Sequence, residues 1–333
     1  MDNTCDGKQI ESGICRFVIP ADGKNPTLCR RRGEFLCRET LDRNLPNLSH
    51  SARMSWVQCK RKHYLEKVQG IRAKADKISV PLKFGTMWDK FQENKYGRSH
   101  DLTKLSNALN LSELEVARFN AICAAFNKLQ LAERNANAFE LQKRIVIPGN
   151  NCNIVGYLDR SYDDHFVEVK MSARPQYYQD PFNISFQVGT YFLANPNWQY
   201  VVMEVTRTPT TTWNRDNETI EEYEERLYKD IIKRAPMYFP GINRKQCTFG
   251  RKFFRSEFPL DEIRKTYEYV EAEILAASHD VSGDSFYKSF QCSSPFPCDF
   301  LPICRDGVIS QTLFTTRKKS EADIDDEEVV IDE

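Results

Sequence analysis

The 333-residue sequence predicts a mixed α/β (α+β) fold, and three observations predict it. Apolar residues recur at three- and four-residue steps across residues 102–135, the signature of amphipathic helix. From Phe139 the period changes to two, giving three successive strand-like segments. A helical segment then leads into the apolar run Tyr200–Thr206, which has the composition of a buried strand. Strand–strand–strand–helix–strand with helices on either side implies a sheet flanked by helices.

In chain order, residues 1–48 form a cysteine-bearing extension with Cys5, Cys15, Cys29 and Cys37 among turn residues such as ADGKNP. Pro46–Ser51 reads as a connector ending in helix-capping residues. Ala52 to about Gly70 is helical in spacing and rich in bases, and a second helix should begin near Pro81 and run through FGTMWDKFQENKYG. Phe139–Pro148, Asn153–Tyr162 and His165–Met171 read as strands, with Asp163-Asp164 as the turn between the last two. Phe182–Ala194 is helical, Tyr200–Thr206 is a strand, and 218–239 and 259–277 return to helix. Residues 290–305 are rich in Pro and Cys, and no internal repeat is visible. The expected division is therefore an extension (1–48), a main domain (49–305) and a disordered acidic tail (306–333).

Composition narrows the function. A 41% hydrophobic fraction with 21 Phe and 14 Tyr can build a core. No apolar run approaches the roughly 18 residues of a membrane span. The N-terminal stretch carries Asp2, Asp6 and Glu11 without an apolar region, so no secretory signal and an intracellular, cytoplasmic location are expected. The 47 basic and 47 acidic residues cancel, yet eight of the acids fall in residues 321–333, leaving +8 over residues 1–320. The body is thus mildly basic, and the tail is a solvated end, a strand mimic that competes for a basic groove, or a docking segment for a protein partner.

The chemistry concentrates in Gly156-Tyr-Leu-Asp159-Arg160 and His165-Phe-Val-Glu168-Val-Lys170. Strand alternation puts Glu168 and Lys170 on one face, with Val167 and Val169 marking the other as apolar. If the two strands pair as a hairpin, Asp159 falls within reach of Glu168. Two carboxylates, joined by a backbone carbonyl such as that of Val169, suit a hard cation, Mg²⁺ or Mn²⁺. Such an ion polarises a phosphoryl oxygen and lowers the pKa of an attacking water. The lysine can position that water or stabilise the developing charge. The competing reading is an ordinary strand pair with surface charges.

GYLDR followed by VEVK resembles the GxxDR…(D/E)xK signature of the PD-(D/E)xK nuclease superfamily, in particular its RecB-like branch. Gln187 and Tyr191 (SFQVGTYFLA) match that branch's Q-x-x-x-Y motif, and Gly85-Thr86 with Asp89 (FGTMWDKFQE) resembles its G-T-x-x-H motif. Ser49–Tyr64 (SHSARMSWVQCKRKHY) is similar to its opening helix. These segments occur in the family's order and span residues 49–305. The resemblance implies a restriction-endonuclease-like core, with Asp159 and Glu168 as metal ligands and Lys170 activating water. Gln187 and Tyr191 would contact the DNA backbone or orient the lysine. One position departs: Asp89 stands where the family usually has His, as either an auxiliary ligand or a plain helix-surface acid. The implied activity is a metal-dependent DNA nuclease, an exonuclease or end-processing enzyme of recombination, repair or replication. A non-catalytic DNA-binding or assembly subunit that keeps the fold is the alternative.

Cys292, Cys298 and Cys304 are separated by two gaps of five residues in QCSSPFPCDFLPICRDG. A subset of RecB-like nucleases, the AddAB and CRISPR-adaptation types, carries one cysteine before the core and three after it. That resemblance adds Cys59 and implies a [4Fe–4S] cluster. Thiolates hold zinc as well, and the first pair is more widely spaced here than in the family. Cys5, Cys15, Cys29 and Cys37 lack the C-x₂₋₄-C knuckle of structural zinc, and form either a second zinc site or an unmetallated extension. Cys123 and Cys152 read as core residues, and Cys247 has no assigned role. On the substrate side, Lys60-Arg61-Lys62-His63 with Arg53 and Lys67 would lie along a phosphate backbone. Arg174 with Tyr177 and Tyr178 would suit a single strand. Arg251, Lys252 and Arg255 form either a groove wall or an amphipathic edge. His165 reads as a surface residue.

Overall fold

The computed structural model describes residues 47–74, 78–131, 140–149, 152–243, 245, 248–278, 292 and 298–316, together with the backbone of two short paired strands near the N-terminus. Those are β1 (Val18–Ile19) and β2 (Leu28–Cys29), which run antiparallel. There follow β3 (Asn47–Ser49), α1 (His50–Gln58), α2 (Lys60–His63), a wide helical turn at Tyr64–Val68 and β4 (Ile71–Ala73). Three helices come next, α3 (Val80–Lys95), α4 (Leu102–Ala108) and α5 (Glu113–Leu129), then the strands β5 (Glu140–Pro148), β6 (Asn153–Ser161) and β7 (His165–Ser172). The chain continues through α6 (Pro181–Ala194), β8 (Tyr200–Arg207), α7 (Ile220–Lys233), α8 (Ala235–Tyr238), β9 (Arg251–Phe254), α9 (Leu260–Ser278), α10 (Leu301–Asp306) and β10 (Phe314–Thr316).

The fold is mixed α/β. Six strands form one mixed sheet, in the order β3-β6-β7-β8-β9 with β5 also on β6. β5–β6, β6–β7 and β8–β9 are antiparallel, whereas β3–β6 and β7–β8 are parallel. The alternation in the strands is consumed on both faces. Val167 and Val169 point into a core built with Phe84, Trp88, Phe126, Tyr223 and Leu227 from α3, α5 and α7. Leu158, Phe166, Val201 and Val205 face the opposite way, onto Val188, Tyr191 and Phe192 of α6. Behind α6, α9 packs through Ile263 and Tyr267 against Trp56 of α1. Helices therefore cover both sheet faces, as parallel pairing requires.

Local chemistry fixes the helix ends. Ser49 Oγ accepts the Ala52 N–H at 3.1 Å, Asp180 caps α6 through the Phe182 N–H at 2.9 Å, and Pro181 opens that helix. Capping boxes at Ser112/Glu115 and Thr219/Glu222 start α5 and α7.

Three features differ from the sequence expectation. Residues 47–49 join the sheet as a parallel strand on β6, where a plain connector was expected. The basic helix after Ala52 breaks at Cys59, which caps the next turn with Sγ, and then widens at Tyr64–Val68. The described fold also continues past residue 305. β10 pairs antiparallel with β4, and Phe300, Ile303 and Phe314 pack on Leu65 and Ile71. Strands of three residues are too short to display alternation, so only long-range pairing creates them. Among the described residues, no helix is long and apolar enough to cross a membrane.

Candidate active site

The sheet is split at its centre. β6 and β7 run side by side from their connecting turn, yet only Arg160↔Val167 and Ser161↔Phe166 pair. Beyond that point the strands part, β6 held by β5 and β7 by β8 along its whole length. Into this gap projects Asp159. Its Oδ2 accepts the Val169 N–H at 2.6 Å, so a side chain takes the place of a backbone carbonyl in the ladder. Oδ1 accepts from Gln142 Nε2 at 3.2 Å. Gln142 was not identified from sequence. It lies in β5 at φ 47°, and the β5–β6 register steps from Leu141↔Arg160 to Lys143↔Leu158, passing over both Gln142 and Asp159. A left-handed glutamine is strained, and the strain turns its amide toward the carboxylate.

Glu168 and Lys170 share a face, as alternation requires. Glu168 is 2% exposed, with Oε1 2.5 Å from Lys170 Nζ and accepting from Gln187 Nε2 at 2.8 Å. Gln187 Nε2 also lies 3.1 Å from the Tyr191 hydroxyl, one turn further along α6. Burial works against the charge on Lys170, but Glu168 and Asp159, with Tyr191, outweigh it and hold the ammonium well above its ordinary range. Tyr191 in turn needs Gly156: a Cβ there would stand 2.7 Å from Tyr191 Cε1.

These groups line one cleft of about 660 Å³ with Gly85, Thr86 and Asp89 of α3. Asp159, Glu168, Val169, Lys170, Gln187, Tyr191 and Asp89, all anticipated from the sequence, thus meet in one place. Lys90, Glu93 and Arg98 extend the same wall. Glu93 is 3% exposed and takes Lys90 at 3.1 Å, Arg98 at 3.2 Å and His100 at 2.9 Å, so it anchors two cations at the cleft. Its carboxyl is held below the usual range because His100 and Lys90 prevail over burial.

Other expectations need correction. Arg53 is 3% exposed and lies under the Phe186 ring at 4.1 Å, and His63 is 5% exposed, with Nδ1 bonded at 3.1 Å to Ser55 Oγ and 3.0 Å to the Ala52 carbonyl. Neither forms a solvated basic face. Lys60 bonds Glu273 at 3.2 Å, while Arg255 donates inward to the Phe192 and Asn195 carbonyls at 2.6 and 3.1 Å, so it cannot serve as a groove wall. His165 is sandwiched between Tyr162 and Tyr200 at 4.2 and 4.6 Å, not loose on the surface. Arg174 and Tyr177 are exposed, and Tyr178 reaches the cleft.

At the other end of the domain, Cys298 and Cys304 pack with Tyr64, Leu65, Phe300 and Phe314. The Cys298 N–H donates to the Cys292 carbonyl at 2.8 Å. Burial pushes the Cys298 thiol up, against a Phe300 backbone hydrogen bond and the Lys62 charge, and Cys59 and Cys292 lie close enough to add to the rise. Cys59 and Cys292 thus lie near Cys298, and Cys304 packs in the same apolar cluster as Cys298. Cys152 is buried, its thiol raised by burial and by Glu271; burial likewise pushes Cys123 well up. Cys5, Cys15, Cys37, Cys247 and residues 317–333, which include the acidic run, lie outside the described residues, and Cys29 is described in backbone only.

Among the described residues, no group of three or more His, Cys, Asp or Glu side chains stands arranged to hold a metal ion. In kind, the donors do fit the expected groups: the carboxylates of Asp159, Glu168 and Asp89 are hard oxygen ligands for Mg²⁺ or Mn²⁺, and the four thiols are soft ligands for iron–sulfur or zinc. No protein-family profile matches the chain, and no curated protein matches it significantly.

Proposed function

We propose that this protein is a metal-dependent DNA nuclease with a restriction-endonuclease-like core of the PD-(D/E)xK type, acting on single strands or ends. The observation that carries the reading is the convergence of Asp159, Glu168 and Lys170 at the parting of β6 and β7, inside a cleft also lined by Asp89, Gln187 and Tyr191. A structural ion pair would not require the sheet to open around it, nor a strained Gln142 to orient one of the acids.

Bound at Asp159 and Glu168, with Asp89 and the Val169 carbonyl beside them, Mg²⁺ or Mn²⁺ would polarise the phosphodiester and lower the pKa of a coordinated water. The chain's own groups do the rest. Lys170 remains an ammonium, held so by Glu168 and Asp159, and is suited to orient the attacking water and to stabilise charge on the phosphoryl oxygens. Gln187 fixes the rotamer of Glu168. Val169 and Gln142 hold Asp159 from two sides. Lys90 and Arg98 supply positive charge along the path of the strand.

Cys59, Cys292, Cys298 and Cys304 would hold a [4Fe–4S] cluster that joins residues near α2 to the segment leading into β10. Anaerobically purified protein should then be brown and contain iron and sulfide, whereas zinc without iron would replace the cluster by a zinc site. Cleavage of end-labelled single- and double-stranded DNA should depend on Mg²⁺ or Mn²⁺ and fall at least about a hundredfold in Lys170→Ala. Cleavage unchanged by that substitution would remove the mechanism. DNA binding without cleavage in either metal would favour an assembly subunit, a reading that the Lys170–Glu168 contact at 2.5 Å also accommodates.

A further inference from the structure

Arg53 poses a problem in electrostatics. It is 3% exposed on α1, yet among the described residues it has no ion pair. Its Nε is enclosed without a hydrogen-bond partner, and Nη1 has only a long contact to Met54 Sδ at 3.5 Å. Its other partners among the described residues are aromatic faces, Phe186 at 4.1 Å and Tyr267 at 5.3 Å. Such contacts offset only part of the desolvation of an ion, and buried arginine is ordinarily paired. One turn earlier stands His50, whose buried Nδ1 also lacks a partner. Burial, then Arg53 and Lys170, lower its pKa to about 4, so near neutral pH it is an uncharged hydrogen-bonding group.

The place of these residues in the fold indicates the missing anion. β3 runs parallel to β6 as far as Ser49↔Val155, so α1 begins level with Gly156, where β6 still pairs with β5 but has left β3 and has not yet met β7. The first turn of α1, whose Ala52 N–H is already taken by Ser49 Oγ, brings its positive dipole end beside that gap. Beside it, α6 exposes two aromatic rings, Phe182 at 84% and Phe186 at 37%. A free phosphate ion has no use for exposed rings, whereas a phosphate flanked by unpaired bases does.

We infer that the N-terminal turn of α1, with Arg53 and His50, is a subsite for one backbone phosphate of a single DNA strand, whose neighbouring bases stack on Phe182 and Phe186. The inference rests on the proposed nuclease reading for its substrate, but its test does not require cleavage. The phosphate would lie next to the one cut in the carboxylate–lysine cleft, and would supply the counter-charge that Arg53 lacks among the described residues.

The experiment is equilibrium binding of a short end-labelled single-stranded oligodeoxynucleotide to the full chain in EDTA, across a salt series, with thermal unfolding in parallel. Arg53→Met should weaken binding about tenfold to a hundredfold and flatten the log Kd against log salt slope by about 0.7, the value for one phosphate contact on a single strand. Its Tm should be unchanged or raised, because an unpaired buried cation is gone. Arg53→Lys, which keeps the charge, should retain the wild-type slope while losing part of the affinity. An Arg53→Met chain that melts earlier with unaltered affinity, or that no longer folds, would make Arg53 a core residue and overturn the proposal. Weaker binding with an unaltered salt slope in Arg53→Met would overturn it too. Failure of Lys170→Ala to affect cleavage would remove the catalytic mechanism while leaving this binding result standing.

Discussion

Replacing Glu204 by glutamine should destabilise the fold by about 3–5 kcal/mol, a large change for a substitution that alters no shape. Arg160 and Glu204 stand on either side of β7, on the face of Val167 and Val169, and their side chains meet across it at 2.5 Å. Arg160 is 1% exposed and Glu204 7%, so neither charge has water to fall back on. Tyr96, at the end of α3, stacks on the guanidinium at 4.6 Å, but its ring cannot replace a carboxylate. The Glu204→Gln variant leaves Arg160 charged, because a guanidinium does not give up its proton to escape burial. Removing both charges, in Arg160→Met/Glu204→Leu, should restore stability to within about 1 kcal/mol of the parent or above it. The assay is urea unfolding in reducing buffer, followed by fluorescence of the buried Trp56, Trp88 and Trp198 and compared at constant m. A loss below about 1 kcal/mol in the single variant would refute the reasoning, as would a double variant as unstable as the single. Because Arg160 follows Asp159 directly, Glu204→Gln should also lower cleavage, whereas the double variant tests whether the Arg160–Glu204 ion pair or merely the stability matters.

Other outcomes follow from the same site. Gln142→Gly should stabilise the chain by about 1 kcal/mol through relief of the left-handed backbone, yet reduce metal-dependent cleavage at least about tenfold because Asp159 loses a donor; a less stable variant with full activity would contradict both parts. His50 gives a pH signature. Its folded pKa is depressed from 6.5 to about 4, so its neutral form contributes stability above pH 6.5 that is lost as pH falls toward 4. The wild type should lose up to about 3 kcal/mol over that window from this group, and the urea midpoint of His50→Gln should vary less with pH; parallel profiles would exclude it. Gly156→Ala must displace Tyr191, whose ring would stand 2.7 Å from the new methyl, and should lower cleavage with little change in the cleft's acids, measured by kcat at saturating DNA.

Much of this was legible in the residues themselves. Strand-like composition bounded by turn residues located β5, β6 and β7 to within a residue or two, because turns such as Asp163-Asp164 mark where a strand-forming run must end. Strand alternation placed Glu168 with Lys170, and a hairpin with an Asp-Asp turn brought Asp159 to them. Gln187 and Tyr191 share a helix face by their spacing of four. What misled was charge. A run of bases after Ala52 was expected to lie along a phosphate backbone, but Arg53 and His63 are buried, the first against Phe186 and Tyr267 far along the chain and the second by bonds to Ser55 and Ala52, eight and eleven residues back.

The sequence by itself determined the order of the main elements, the mixed fold class and the three side chains on which the proposed chemistry would depend, since these follow from local periodicity and short spacings. Only the tertiary structure decided that β6 and β7 part, that Gln142 is bent toward Asp159, that three-residue strands tie residues 71–73 to 314–316, and that Arg53 is buried without a counter-ion among the described residues. Each of these depends on pairing or packing between residues distant in sequence, and such contacts leave no period for a reader of the chain to find.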